Sequence, residues 1–101
     1  MRKFKNTTEF QWDRGNHNKN WLRHEVSNEE CEEVFFDRSR FIFKDNIHSD
    51  KEERFRILGK TKKNRFLFIV FTKRGKKIRI ISARDVNKKE VQIYEKKINF
   101  T

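Results

Sequence analysis

The fold of this chain is decided by residues 65–84, which read RFLFIVFTKRGKKIRIISAR. Residues 65–72 form an apolar run rich in aromatic and β-branched side chains, which predicts a central strand covered on both faces. Gly75 supplies the positive φ that a tight turn within residues 73–76 needs. Residues 77–84 then predict the partner strand. The rest of the chain is expected to pack around this hairpin.

Two helices are predicted ahead of the hairpin. The first spans about residues 14–24, and a short strand over residues 4–12 precedes it. The second helix begins at Ser27, because Glu30 stands three residues later and the two form a capping box. This helix is expected to end near Asp37, where the apolar spacing of a buried helix face stops.

Three further elements complete the predicted fold. Residues 40–44 and 54–58 alternate between apolar and polar side chains, which is typical of half-buried strands. A closing helix follows Asn87, whose cap Glu90 completes. The buried face of that helix is predicted to carry Val91, Tyr94 and Ile98. The fold class is therefore α+β, with two N-terminal helices, an antiparallel sheet meander and a C-terminal helix in one domain over residues 1–101.

Composition restricts the partners of this chain. Lys and Arg total 26 against 15 Asp and Glu, a formal charge of +11. Such an excess favours an anionic partner: a nucleic acid, an anionic membrane surface or an acidic protein. Eleven Phe, two Trp and one Tyr supply a core despite the high charge.

No apolar stretch is long enough to span a bilayer or to act as a secretory signal. The single cysteine, Cys31, fits a reducing compartment, so we expect a cytoplasmic protein.

Arginines on the predicted strands are the candidates for a functional site. Arg54 and Arg56 share one strand face by period two, and Arg79 lies on the partner strand of the hairpin. Arg74 stands at the hairpin tip and Arg84 at a strand end. If the strands pair as a meander, these cations converge on one surface, where guanidinium groups bind phosphate oxygens in pairs. The alternative is that each arginine is an ordinary solvated side chain.

The sequence shows no recognisable metal or nucleotide site. One cysteine and three histidines give no zinc-ligand spacing, and no glycine-rich phosphate loop is present. RNA cleavage without a metal needs a base for the 2′-hydroxyl, cations for the phosphorane and an acid for the leaving oxygen. His48 is the candidate acid or base because its pKa lies near neutrality, and Glu53 or Tyr94 could assist. The alternative for His48 is an ordinary loop histidine between Asp45 and Asp50.

Several segments, in their order and spacing, resemble the BrnT family of toxins over about residues 10–95. The matching segments are Phe10-Gln11-Trp12-Asp13, Asn20, Arg23-His24, Val26-Ser27, Val34-Phe35, Asp37, His48-Ser49, Glu52-Glu53-Arg54-Phe55, Ile57, Gly59, Thr72-Lys73-Arg74-Gly75, Ile78-Arg79-Ile80-Ile81-Ser82-Ala83-Arg84, Glu90 and Tyr94. Two positions depart from the family. Asn16 replaces a lysine, which removes a possible phosphate contact. Glu25 replaces a glycine, which suggests a different turn between the two N-terminal helices.

The resemblance implies a RelE-like α+β fold and a ribonuclease that slows translation without a cofactor. It also implies neutralisation by a BrnA-like antitoxin that carries a ribbon-helix-helix part, and binding of operator DNA only through the complex. Under this hypothesis the chain is a metal-independent endoribonuclease. Its catalytic residues are predicted to be His48, Arg54, Arg79 and Arg84, with Arg74 and Arg56 binding RNA.

Two other functions fit the sequence. The first is a catalytically weak or inactive toxin-like binding module that acts as a corepressor with its antitoxin, which the Asn16 departure favours. The second is a general RNA-binding protein, whose binding would depend steeply on salt and would need no antitoxin.

Overall fold

A computed structural model describes residues 9–46 and 52–99, and a five-stranded sheet of order β1-β5-β4-β3-β2 lies at its centre. The strands are β1 Glu9–Phe10, β2 Phe41–Asp45, β3 Arg54–Lys60, β4 Phe66–Arg74 and β5 Lys77–Asp85. The helices are α1 Lys19–His24, α2 Asn28–Val34 and α3 Lys88–Asn99. The fold is α+β, as predicted.

The sheet is mixed rather than purely antiparallel, so that part of the prediction is wrong. Strands β2 to β5 form the predicted antiparallel meander. Strand β1 pairs in parallel with β5, with Phe10 opposite Ile78. A parallel pair needs a long connection, and the chain between β1 and β5 includes α1, α2 and the rest of the sheet. The hairpin turn is as predicted, with Gly75 at φ 61°.

Two cores cover the two faces of β4, the central strand that the sequence predicted. On one face, Phe71 is fully buried and its ring lies 4.9 Å from that of Phe35 and 5.5 Å from that of Phe55, in the core beneath α2. On the other face, Tyr94 of α3 packs with the buried Phe68. The prediction of a strand covered on both faces is confirmed.

The capping box predicted for α2 is present, whereas α1 is shorter than predicted. The Ser27 side chain accepts from the Glu30 amide at 3.1 Å, and the Ser27 amide donates to Glu30 at 3.0 Å, which confirms the capping box. Helix α1 begins only after Asn18, because Asn18 has φ 60° and residues 14–18 form turns.

Other boundaries also differ from the prediction. Helix α2 ends at Val34 rather than near Asp37. Residues 4–8 of the predicted first strand and the side chain of Ile98 lie outside the described part of the chain. None of the described helices is long and apolar enough to cross a membrane.

Arg65, which precedes β4, joins three parts of the fold. Its guanidinium donates to Asp85 at the end of β5 at 2.8 and 3.1 Å and to Glu30 at the start of α2 at 3.2 Å. It also donates to the backbone carbonyls of Glu25 and His24 after α1, at 2.8 and 3.1 Å. Carbonyls at a helix C-terminus have no partner within the helix, so Arg65 caps α1 from a distant strand.

The turn between α1 and α2 places Glu25 in the left-handed conformation that glycine favours. Glu25 has φ 54° and ψ 38°, and its amide bonds to the carbonyls of Asn20 and Trp21. This left-handed conformation is where helices commonly end on glycine. Glu25 therefore holds a strained conformation that glycine would adopt without strain.

Replacing Glu25 by glycine is expected to stabilise the protein by about 1 kcal/mol. The left-handed conformation costs an L-residue about 1–2 kcal/mol, and the greater freedom of glycine in the unfolded chain offsets part of the gain. Urea unfolding measures the change. Glu25→Ala is the control, since it removes the same charge but keeps the strain and should not stabilise. A Glu25→Gly protein no more stable than the wild type would contradict the assigned strain.

Candidate functional site

Four arginines from two strands project from one face of the sheet, the face on which α3 packs. Residues that pair directly across strands share a face. Arg54 pairs with Thr72, which pairs with Arg79. Arg56 pairs with Val70 and lies two residues from Arg54, so it shares that face. We call this side, with Arg54, Arg56, Arg79 and Arg84, the arginine face.

A β-bulge brings Arg84 onto this face together with Arg79. The two residues lie five positions apart, and a regular strand would place them on opposite faces. Val70 pairs with Ser82 and Phe71 with Ile80, so the register skips Ile81. Since one extra residue reverses the alternation, Arg84 points to the same side as Arg79. Bulges often re-aim side chains near functional sites.

Asp13 and Gly15 hold Arg79 in place. The Nη1 atom of Arg79 lies 2.6 Å from Oδ2 of Asp13 in the turn that follows β1. The hydrogen bond from Arg79 lowers the pKa of the Asp13 carboxyl, so the pair stays charged. A Cβ at Gly15 would lie 2.7 Å from Nη2 of Arg79. The absence of a side chain at Gly15 therefore makes room for the guanidinium.

Arg84 lies against α3. Its Nη1 and Nη2 atoms donate to the two carboxylate oxygens of Glu90 at 2.9 and 2.8 Å, and its guanidinium carbon lies 4.4 Å from the centre of the Phe68 ring. Partial burial opposes ionisation of Glu90, but the hydrogen bonds from Arg84 and the Asn87 amide lower the pKa of this carboxyl. Glu90 thus completes the cap of α3 and fixes Arg84 at the same time.

Arg56 lies in the middle of the arginine face. Its Nε is 3.2 Å from Oδ2 of Asp45, whose side chain is 4% exposed. Its guanidinium carbon is 5.9 Å from the centre of the Phe43 ring and 5.6 Å from that of Phe68. Cations near aromatic rings are stabilised by the ring quadrupole. The Arg56 side chain is 29% exposed, so it can still meet a ligand.

Arg74 lies at the rim of the same face. Alternation along β4 places it two residues beyond Thr72, on the same side. Its side chain is 46% exposed, and its Nε lies 3.5 Å from Oε2 of Glu52. The structure therefore brings five predicted arginines to one side of the sheet, with Arg74 at the hairpin end and Arg84 beside α3.

The three proton-transfer candidates do not join the described part of this face. His48 lies outside the described residues. Glu53 pairs with Lys44 at 3.5 Å and lines a shallow depression with Phe55 and Lys73, side chains of the opposite face. Tyr94 belongs to α3 and is buried between this helix and the sheet, where its hydroxyl donates to Asp37 at 3.3 Å and burial raises its pKa. Tyr94 therefore has a place in the core.

The sequence analysis missed the carboxylates that orient the arginines: Asp13, Asp45 and Glu90. Asp13 follows Trp12 in a segment of the family resemblance, and Glu90 occupies the third position of a helix cap. Both signals exist in the sequence, but neither indicates an arginine partner. In the sequence, Asp45 stands out only as a neighbour of His48. Within residues 9–46 and 52–99, no cluster of side chains suited to a metal ion is present.

Asn16 has a structural role that the sequence did not indicate. Its side chain is 2% exposed, donates to the carbonyls of Gln11 and Ile80 at 2.9 and 3.1 Å, and accepts from the Asp13 amide at 2.8 Å. These bonds fix the turn that carries Asp13 against strand β5. Asn16 therefore supports the residue that holds Arg79.

Comparison with protein families identifies one match. A family model described as the ribonuclease toxin BrnT of type II toxin–antitoxin systems matches residues 12–90. This segment contains the whole arginine face and the three carboxylates that orient it. A comparison with curated proteins finds no match. Since the family model covers most of its 101 residues, the chain belongs to the BrnT ribonuclease toxins of type II toxin–antitoxin systems.

Proposed function

We propose that this chain is a metal-independent endoribonuclease that cleaves RNA on the arginine face. One observation carries the proposal: four arginines converge on one face of the sheet, and three of them are oriented by a carboxylate. Arginines held in fixed positions suit a phosphate whose charge increases during reaction, because they need little rearrangement. Family membership supports the same activity.

The reaction we propose is attack by a ribose 2′-hydroxyl on the adjacent phosphorus. A base removes the hydroxyl proton as the new O–P bond forms, and the bond from phosphorus to the 5′-oxygen breaks. An acid protonates that leaving oxygen. The products are a 2′,3′-cyclic phosphate and a 5′-hydroxyl end. The arginine charges stabilise the phosphorane between these steps, in place of a metal ion.

Arg79 and Arg54 are the best placed to contact the reacting phosphate. They flank Thr72 in one cross-strand row. Arg84 is proposed to contribute its charge from the α3 side. Its effect is smaller because both of its terminal nitrogens already donate to Glu90, whereas Asp13 accepts from one terminal nitrogen of Arg79. Arg56 and Arg74 are proposed to bind the RNA backbone on either side.

His48 is the proposed acid or base. In the sequence it stands three residues after Asp45 and six before Arg54. These two residues pair with each other where β2 ends and β3 begins. Its role is a proposal from chemistry and sequence position. Replacement by alanine should lower cleavage and remove one limb of the pH–rate profile near neutrality.

The finer functions implied by the family are also proposals. We propose that RNA cleavage slows translation and that a BrnA-like ribbon-helix-helix antitoxin neutralises the toxin. Operator DNA would be bound only through that complex. We also propose that the α+β architecture is RelE-like and that residues 1–101 act as one domain.

Incubation of the purified chain with RNA tests the proposed activity. Wild-type protein should cut RNA with and without a chelator and leave 2′,3′-cyclic phosphate ends. Loss of cleavage on chelation would overturn the metal-independent reaction. A wild type that never cuts RNA, with or without added divalent metal, would overturn the enzyme.

A second candidate is a binding module that acts as a corepressor with its antitoxin. The observation in its favour is that the described part of the arginine face holds Asp45 and Glu90 in ion pairs and contains no histidine. Expression without the antitoxin separates the two functions. Growth arrest supports the nuclease, whereas harmless expression with a tight antitoxin complex supports the binding module.

A further inference from the structure

Phe43 stands beside the arginines at the open end of their face. It lies in β2 and pairs with Arg56, which in turn pairs with Val70. Phe43, Arg56 and Val70 all keep part of their surface accessible, in a row that runs from the edge strand β2 across β3 to β4. Aromatic rings beside accessible cations are the combination with which proteins bind single-stranded nucleic acid.

Phe43 packs against the core beneath α3, and the other aromatic rings of this region lie deeper in that core. Phe68 is 8% exposed and belongs to the buried cluster with Tyr94. Phe66 contacts Tyr94 directly, with 4.4 Å between ring centres. Phe43 lies further along the sheet, and the Phe41 ring, 5.1 Å away and tilted by 30°, supports it from the α3 side. Phe43 is thus a supported ring at the boundary between the core and the accessible cations.

Arg56 and Phe43 together suit the phosphate and the base of one nucleotide. The 5.9 Å between the guanidinium carbon of Arg56 and the ring centre of Phe43 is within the span from a phosphate to the base of the same nucleotide. Asp45 and the two rings restrict the guanidinium, so the two contacts would be presented together. Phenylalanine offers a π-face but no hydrogen bond, so it accepts any base.

We propose that Phe43 is the stacking platform for one base of the bound RNA, next to a phosphate held by Arg56. This inference rests on the proposed function, since it requires RNA on the arginine face. It assigns a base-binding subsite to strand β2, whereas the proposed cleavage roles concern only the phosphates. Stacking of this kind tolerates every base and favours those with the larger ring surface.

The test measures binding and stacking separately from cleavage. The probe is a set of short oligonucleotides that carry 2-aminopurine at successive positions, with 2′-deoxyribose throughout so that the attacking hydroxyl is absent. Wild-type protein should change the 2-aminopurine fluorescence at one position, where the base stacks. Phe43→Leu should remove that change and weaken binding by about tenfold, as expected for loss of one base–aromatic contact. Phe43→Tyr should keep both.

Phe36→Leu is the matched control, because Phe36 is 62% exposed just beyond α2, the helix that packs on the opposite face of the sheet. It should bind like the wild type. Thermal melting checks that each variant folds. Equal binding and equal fluorescence change in Phe43→Leu and the wild type would overturn the subsite. If the wild type binds and stacks these oligonucleotides but does not cleave RNA, the subsite stands and the proposed nuclease fails. If no oligonucleotide binds at all, the subsite fails, and the RNA cleavage assay alone decides the proposed nuclease.

Discussion

Replacement of Arg79 by alanine is expected to lower kcat/KM for RNA cleavage by about 10²–10³, the usual effect of removing one oriented transition-state contact. Arg79 is 16% exposed, is fixed by Asp13 at 2.6 Å and shares a row with Arg54 and Thr72. Most of the loss should lie in kcat, since a fixed guanidinium interacts more strongly with the phosphorane than with the ground-state phosphate. Arg79→Lys should recover little, because an ammonium cannot bind two oxygens in one plane.

Single-turnover cleavage of a defined oligoribonucleotide measures this effect. Arg38→Ala removes the same charge from an exposed turn after α2 and should cleave almost like the wild type. Asp13→Asn keeps Arg79 but weakens the contact that orients it. The cleavage rate of Asp13→Asn should therefore fall between those of Arg79→Ala and Arg38→Ala. A thermal melt excludes unfolding as the cause. Equal rates for Arg79→Ala and Arg38→Ala would show that only total charge matters.

Replacement of Arg65 by methionine is expected to cost about 2–3 kcal/mol of unfolding free energy. Methionine keeps an apolar stem, so the loss reports the guanidinium contacts. Those contacts reach Glu30, Asp85 and the last carbonyls of α1, and their removal leaves charged and polar groups without this partner. Urea unfolding measures the change, with Arg38→Met as the matched control on the surface. A cost below 0.5 kcal/mol, about that of an ordinary surface change, would contradict the assigned role.

Acid should abolish the ion pairs that Arg65 forms with Asp85 and Glu30. The hydrogen bond from Arg65 lowers the pKa of Asp85, and the bonds from the Ser27 amide and Arg65 outweigh partial burial to lower that of Glu30. A carboxyl whose pKa is lower in the folded state stabilises above its unfolded pKa of about 4 and loses this contribution as the pH falls through the folded pKa. The stability of the wild type should therefore fall below about pH 4 more steeply than that of Arg65→Met.

The sheet could be predicted largely from the sequence, because its strands carry strong local patterns. The apolar run at residues 65–72 and the turn at Gly75 locate the hairpin. Strand β1 could not be predicted accurately, because a two-residue strand has almost no periodicity and its parallel pairing depends on a distant partner. The capping boxes at Ser27 and Asn87 marked the starts of α2 and α3 because their signal is local.

The functional face could be predicted only in part. Arg54 and Arg56 lie two residues apart in one strand, so their common face follows from alternation. The orienting contacts of Asp13 and Asp45 depend on pairing between strands, which a single sequence does not report. Glu90 was predictable as a cap, but its contact with Arg84 depends on where α3 lies against β5.

Because the pairing of β4 with β5 skips Ile81, the number of residues between Arg79 and Arg84 determines whether this site forms. Arg79 and Arg84 act from one side only because the number of residues between them is one more than a regular pairing would use. Substitution at Ile81 leaves that number intact, whereas loss or gain of a single codon there would reverse one arginine while charge and composition stay nearly the same. A related sequence can therefore contain both arginines and still lack the site, and in comparisons of BrnT toxins the spacing between them carries as much information as their presence.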